Sequence, residues 1–143
     1  MYEMLEIVKN LLLLMGLLYF AWQDYHTRYI GIAASVIVAI IGIALRLWIE
    51  KSPMGIFASM LIGIGLIIAA TISNESIGIG DGILFLVSGC YLEVFQNMIL
   101  FVRTIFLTGG FAILCMVIKK TGRKVQIPLA PFMLVAYVTT FLN

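Results

Sequence analysis

Met54-Gly55-Ile56-Phe57-Ala58-Ser59-Met60-Leu61-Ile62-Gly63-Ile64-Gly65-Leu66-Ile67-Ile68-Ala69-Ala70-Thr71-Ile72 contains no charged side chain. A run of this kind meets the requirement for a bilayer-spanning helix, roughly 20 consecutive apolar residues. Its small residues, Gly55, Ala58, Ser59, Gly63, Gly65, Ala69 and Ala70, let helix backbones approach closely, which places this span at the centre of the expected bundle. Working outward, comparable runs cover residues 5–22, 30–48, 83–95, 98–118 and 127–142. The 143-residue chain is 63% hydrophobic and 11% charged, against roughly 25% charged in a soluble domain. The sequence therefore predicts an all-α membrane protein, one polytopic bundle of about six transmembrane helices in a lipid bilayer, with little left for a water-soluble domain.

The first run opens Met1-Tyr2-Glu3-Met4, acidic where a secretory signal is basic, and reads as a span that stays. Glu6, Lys9 and Asn10 lie in its first turns, where such side chains snorkel to the interface. Positive charges in short loops orient the chain. An outside N-terminus puts Arg28, Lys119, Lys120, Arg123 and Lys124 on the cytoplasmic side, against Arg46, Lys51 and Arg103 outside. Cys90 and Cys115 sit inside apolar runs without a CxxC pair and read as packing residues. One histidine cannot build a metal site, and a net charge of +2 gives no reason to expect nucleic acid; no metal or cofactor is expected.

Beyond the opening run, after the polar Ser73-Asn74-Glu75-Ser76, the chain reaches Gly78-Ile79-Gly80-Asp81. The apolar run from 83 to 95 is too short to span alone, so the span is expected to start near Ile77 and hold the glycine turn at membrane depth. A carboxylate there is costly, because its charged form loses water and gains no partner from lipid. The other carboxylate so placed is Asp24, in the polar connection Gln23-Asp24-Tyr25-His26-Thr27-Arg28-Tyr29. Two spans separate these connections, so both aspartates lie on one face, together with the turn Pro128-Leu129-Ala130-Pro131-Phe132. The expectation is that Asp24 and Asp81 meet.

Two aspartates within reach of each other cannot both ionise easily, and the pair shares a proton. One can then take a proton from water attacking a peptide carbonyl while the other supports the developing oxyanion. Glycines at 78 and 80 would let a peptide lie close beside Asp81. Taken singly, each feature has a plainer reading. Gly-x-Gly-Asp turns occur in many loops, Arg28, Glu75 and His26 read as loop residues, Glu93 and Arg103 bracket an outer connection, and prolines commonly mark helix starts.

In combination the three segments resemble the type IV prepilin peptidase family, membrane aspartic proteases that include the preflagellin peptidases. Residues 24–30 are similar to the family's Asp-x3-Arg-x-Ile segment, residues 75–81 to its Glu-x2-Gly-x-Gly-Asp segment, and residues 128–132 to its Pro-x-x-Pro-Phe segment. The resemblance implies Asp24 and Asp81 as the catalytic pair, with Gly78, Gly80, Arg28, Glu75, Pro128 and Pro131 shaping the site or binding substrate. It implies a prepilin or pilin-like substrate, cut after a glycine at the cytoplasmic face of the cell membrane. Two departures touch substrate contacts: Gly31 and Ile32 follow Ile30 where the family has Pro-Asn, and Ile83 stands where it commonly has lysine. The cysteine-bearing insertion that accompanies N-methylation has no counterpart here, so peptidase without methyltransferase activity is expected. Another aspartic intramembrane protease, of the presenilin or signal-peptide-peptidase kind, shares Gly-x-Gly-Asp and a proline-containing last motif, but those proteins are much longer. The alternative from another class is a small transporter or assembly subunit that uses the two aspartates for proton or ion relay.

Overall fold

A computed structural model describes residues 1–73, 78–119 and 127–141. They form six α-helices: α1 (Tyr2–Thr27), α2 (Ile32–Glu50), α3 (Pro53–Ile72), α4 (Ile79–Tyr91), α5 (Val94–Lys119) and α6 (Ala130–Phe141). Four of them, α1, α2, α3 and α5, are long and apolar enough to cross a membrane. Their outward faces carry exposed apolar side chains such as Ile40, Leu61, Phe106 and Ile113, as lipid contact requires. The chain is thus an all-α membrane bundle.

Several boundaries differ from the sequence reading, each for a local reason. The first helix continues past Trp22 to Thr27, because Thr27 and His26 bond back to the carbonyls of Gln23 and Trp22 and prolong the last turn. It stops where Arg28 takes a left-handed conformation, φ 55°, and donates its N–H to the Asp24 carbonyl. Asp24 therefore sits in the last turn of a helix and not in a loop. The fourth helix is only 13 residues long, from its N-cap Gly78 to an extended Leu92, so Phe95 belongs to α5. Gly80 and Asp81 are helical, and the expected non-helical turn extends no further into α4 than Gly78.

The central helix is α4 rather than α3. Eight of its 13 residues are buried, and it meets α1, α2, α3 and α5. Glycines set its distance from α3. A Cβ at Gly63 would come within 2.3 Å of the Leu86 nitrogen, one at Gly82 within 2.5 Å of Ile67, and one at Gly89 within 2.6 Å of the Ser59 carbonyl. Gly42 of α2 likewise receives the Tyr91 ring, whose hydroxyl donates to the Val38 carbonyl at 2.7 Å. Around α4, the side chains of Leu13, Leu17 and Phe20 from α1, Leu100 from α5 and Met133 from α6 close an apolar core.

Polar groups collect at the two ends of this core. At one end Arg46, 2% exposed, donates to Glu50 at 2.8 Å, to the Gly89 carbonyl at 3.0 Å and to the Leu92 carbonyl. It thereby satisfies carbonyls that the short α4 leaves open at its C-terminus. Glu50 also pairs with Lys9 at 3.9 Å, Ser59 donates to Leu92, and Asn97 bridges Ser88 and the Ser59 carbonyl. Lys9 and Arg46, expected at the membrane surface, are instead buried, and Arg103 donates to Thr140 at 2.9 Å. Cys90 is a buried packing residue and Cys115 is half-buried. The other end holds Asp24 and Asp81.

Candidate active site

The chain ends of three helices build this end. α1 arrives with Asp24 in its last turn, α4 departs with Asp81 in its first, and α6 departs at Ala130. Asp81 occupies the third position of α4 and donates its own N–H to the Gly78 carbonyl at 3.1 Å. A carboxylate there faces the positive end of the helix dipole. Asp24 is buried, 8% exposed, and its Oδ2 accepts the N–H of Ala130 at 3.1 Å.

The sequence around Ala130 makes that contact specific. The Leu129 carbonyl accepts the first helical bond, from Met133, so Ala130 is the first helical residue and its N–H has no partner within α6. Proline fills the second position, Pro131, and has no N–H to offer. Asp24 thus caps α6 from a different helix, more than a hundred residues away in sequence. Fully buried Ala130 and the cap's burial leave this contact little competition from water.

Asp81 lies in the first turn of α4, outside the four spanning helices. Its carboxyl is pushed up from the usual 3.8 to about 6, mainly by burial and further by the negative charge of Asp24. Asp81 is half-buried and within reach of the Asp24 charge. A carboxyl with such a value is partly protonated near neutrality and can donate as well as accept.

The remaining sequence candidates fall into place as follows. Gly78 is exposed at the N-cap, and a Cβ there would sit 3.5 Å from Asp81 Oδ2, so this is the position at which a side chain would lie against the carboxyl. Gly80 faces Ile30 instead, with a Cβ only 3.3 Å from Ile30 Cδ1; it allows α4 to dock on the segment following Asp24. Arg28 has an exposed side chain, and its backbone turns the chain out of α1. Pro128 and Pro131 flank the α6 start and are half-buried. Glu75 lies outside the described residues, as do residues 120–126 of the basic segment that follows α5.

Two contributions have no signal in the sequence motifs. The Ala130 N–H is a main-chain group, invisible to a search for reactive side chains, although its placement between two prolines marks it in retrospect. Gln23 Oε1 accepts the N–H of Gly31 at 3.1 Å and braces the turn that carries Ile30 to Gly80. Gly31 is the residue where a proline would have no N–H to give, so this brace accompanies the glycine. Among the described residues no group of three or more His, Cys, Asp or Glu side chains could hold a metal ion. A cavity of about 90 Å³ lies at the opposite end, lined by Asn10, Gln96 and Tyr137 among others, remote from both aspartates.

No family model, no curated protein and no solved structure matches this chain.

Proposed function

We propose that the chain is a membrane-embedded aspartic endopeptidase that removes the leader of a type IV prepilin or pilin-like protein, after a glycine, at the cytoplasmic face of the cell membrane. The observation that carries this reading is that Asp24 and Asp81, from distant segments, stand at one end of an apolar bundle, near enough that the Asp24 charge adds to burial in pushing the Asp81 carboxyl up to about 6. Aspartic hydrolysis needs one carboxyl as base and one as acid, and no further nucleophile. The contact of Asp24 with the Pro-x-x-Pro segment adds support, because it joins the third of the three resembling motifs to the first. A substrate with an apolar helix behind its cleavage site could lie along the exposed apolar flanks of the bundle and present its leader junction at this edge.

Relay of protons or ions through the pair is the competing reading. Among the described residues, Leu13, Leu17, Phe20, Leu84, Phe85 and Met133 form an apolar layer between the aspartates and the Lys9–Glu50 end, which a relay would have to cross. The deciding experiment is cleavage of candidate prepilins from the same organism by the purified chain, beside Asp24→Asn and Asp81→Asn, read by mass spectrometry of the new amino terminus. Cleavage after the leader glycine that either substitution abolishes establishes the peptidase. A folded wild type that cuts none of them, yet supports ion flux in liposomes, selects the relay.

A further inference from the structure

The cavity at the end opposite the aspartates lies between three helices, lined by Asn10 of α1, Gln96 and Leu100 of α5, Tyr137 and Thr140 of α6, and Leu92. It reaches the surface at Gln96, which is exposed. Its two hydroxyls brace the walls: Tyr137 donates to the Asn10 carbonyl at 3.1 Å and Thr140 to the Ala136 carbonyl at 2.8 Å. The donors left for a ligand sit on amides and a guanidinium. The Gln96 carbonyl oxygen accepts the Glu93 N–H, which leaves its NH2 group as the free end. Arg103 follows Gln96 and Leu100 on the same face of α5 and gives one of its five N–H groups to Thr140 Oγ1 at 2.9 Å. Among the described residues that line the cavity, none is acidic.

The buried charges at this end do not balance. Arg46 and Lys9 share the carboxylate of Glu50. Arg103 is half-buried, and among the described residues no carboxylate lies within ion-pair distance of it. Glu3, Glu6 and Glu93, the other acids at this end, are exposed. An arginine within a spanning helix needs a partner, because lipid tails supply none. Arg103 stands about 14 Å along α5 from Val94, at 1.5 Å per residue, and its long side chain can turn back toward the headgroups. The surface beside the cavity is apolar: Ile7 and Leu11 flank Asn10 on α1, and Phe95 and Val102 flank the lining face of α5, all four exposed.

We propose that this cavity is a lipid site, which takes the headgroup phosphate of a membrane phospholipid onto Arg103, with the Asn10 and Gln96 amides as further donors. A guanidinium matches two phosphate oxygens with parallel N–H bonds, and a phosphodiester supplies the negative charge that Arg103 lacks. The cavity has the volume of about three waters, room for a phosphate but not for acyl chains. The chains then lie outside it, along Ile7, Leu11, Phe95 and Val102, where the bilayer already is. A soluble anion would gain the same hydrogen bonds and leave those apolar flanks uncovered, which is why the lipid is the occupant. Held so, one phosphate joins α1, α5 and the far end of α6, in the leaflet opposite the aspartates. The site does not depend on what chemistry the aspartates perform.

The test uses the purified full chain, stripped of lipid in an uncharged detergent, and three probes: phosphatidylglycerol, diacylglycerol with the same acyl chains, and inorganic phosphate. Native mass spectrometry counts the lipid retained per chain, and thermal unfolding reads its effect on the fold. One phosphatidylglycerol per chain is expected to stay bound and raise the unfolding midpoint, whereas diacylglycerol and millimolar inorganic phosphate do neither. Arg103→Gln is expected to weaken retention by about tenfold to a hundredfold, the scale of a hydrogen bond to a charged group. Gln96→Leu, at an exposed position, should weaken it severalfold. Lys51→Gln, which removes an exposed positive charge at the same end, is expected to leave it unchanged. The proposal is overturned if diacylglycerol is retained as well as phosphatidylglycerol, or if inorganic phosphate alone gives the full rise, the occupant then being a free anion. It is equally overturned if Lys51→Gln weakens retention as much as Arg103→Gln, which would reduce the effect to general attraction between charges. Should Arg103→Gln not fold, Gln96→Leu decides, and retention equal to the wild type overturns the proposal.

Discussion

Both ends of the bundle bury ionisable side chains, and they treat them in opposite ways. At the Lys9 end, unlike charges meet: Arg46 and Lys9 converge on Glu50, and the remaining guanidinium bonds go to the open carbonyls of α4. At the Asp24 end, the charge of one carboxyl acts on another, and Asp24 accepts a main-chain N–H. Paired burial of unlike charges holds helices in register. Like charges brought close in a partly buried site work against the fold. The same bundle thus keeps a layer of opposite charges at one end and two carboxyls at the other, one of them raised by the charge of its neighbour.

The sharpest break of this comparison exchanges the effects of mutation between the ends. Asp24→Asn and Asp81→Asn are expected to lower prepilin cleavage by at least about 10²–10⁴-fold, the scale of losing a general acid or base. Asp81→Asn should leave thermal unfolding unchanged or raise its midpoint, since it removes a like charge. Arg46→Met is expected to do the reverse. It leaves Glu50 with only the more distant Lys9 and opens the α4 carbonyls, costing about 3–5 kcal/mol in denaturant unfolding. Activity per folded molecule should survive. Loss of both properties together in Asp81→Asn would count against the separation of roles.

A second contrast lies between the α3–α4 contact and the outer face of α3, and concerns close approach rather than charge. Gly82→Val would drive side-chain atoms into Ile67, and the helices must part; overpacking of this kind costs about 1–3 kcal/mol. Gly65→Val, on a face with nothing within 4 Å of a Cβ, should cost about 0.5 kcal/mol or less. Unfolding of the two variants in the same detergent measures the difference. Equal costs would show that the glycines are not what sets the α3–α4 distance.

What the sequence conveys differs between the two ends for physical reasons. The aspartates were legible because a carboxylate at the edge of an apolar run is expensive wherever the helices finally pack, and chain alternation alone puts residues 24, 81 and 128–131 on one face. The Arg46 layer was less legible. Reading Arg46 as an outer charge follows from its position near a span end, but its burial depends on α4 stopping at Tyr91, short of the neighbouring helices. A local pattern does point to it, Arg46 and Glu50 lying four apart on one helix face. The Ala130 contact has no such pattern, since a cap supplied by another helix leaves no spacing to read. Likewise the small residues of the third run announce close packing but not which helix becomes central. Gly63 and Ser59 meet α4, while Gly65 faces outward.

The pH dependence sharpens the comparison further, with a sign that follows from the raised carboxyl. Asp81 titrates near 6 in the folded chain against 3.8 ordinarily, so between these values the native state holds more protons than the unfolded one. Stability is then greatest at the acid end of this window and falls as pH rises through it, because the half-buried Asp81 carboxyl must ionise in the folded chain. Thermal unfolding across this range should show that fall in the wild type and a flatter profile in Asp81→Asn. Cleavage should lose its protonated acid in the same interval, giving an alkaline limb in kcat/KM with a midpoint near 6. Arg46→Met, acting at the other end, should lower the whole stability curve without altering that slope.

The smallest expected effect separates the two glycines of the Gly-x-Gly-Asp segment, which the sequence treats alike. Gly80→Ala puts a methyl 3.3 Å from the flexible end of Ile30, which can yield by a few tenths of an ångström. Within a helix alanine is favoured over glycine by about 1 kcal/mol, so stability should hold or rise slightly. Gly78 has an ordinary φ of −68°, so no left-handed backbone reserves the position for glycine. Its substitution matters through the place a side chain would occupy, 3.5 Å from Asp81 Oδ2 on an exposed face, where the proposed peptidase would receive its peptide. Gly78→Ala should lower cleavage severalfold, although part of any loss could come from a poorer N-cap. Gly78→Ser divides the two causes, because serine caps helices at least as well as glycine yet fills the same space. Cleavage that stays low in Gly78→Ser while unfolding returns to the wild-type midpoint assigns the effect to access at Asp81; recovery of both assigns it to the helix end.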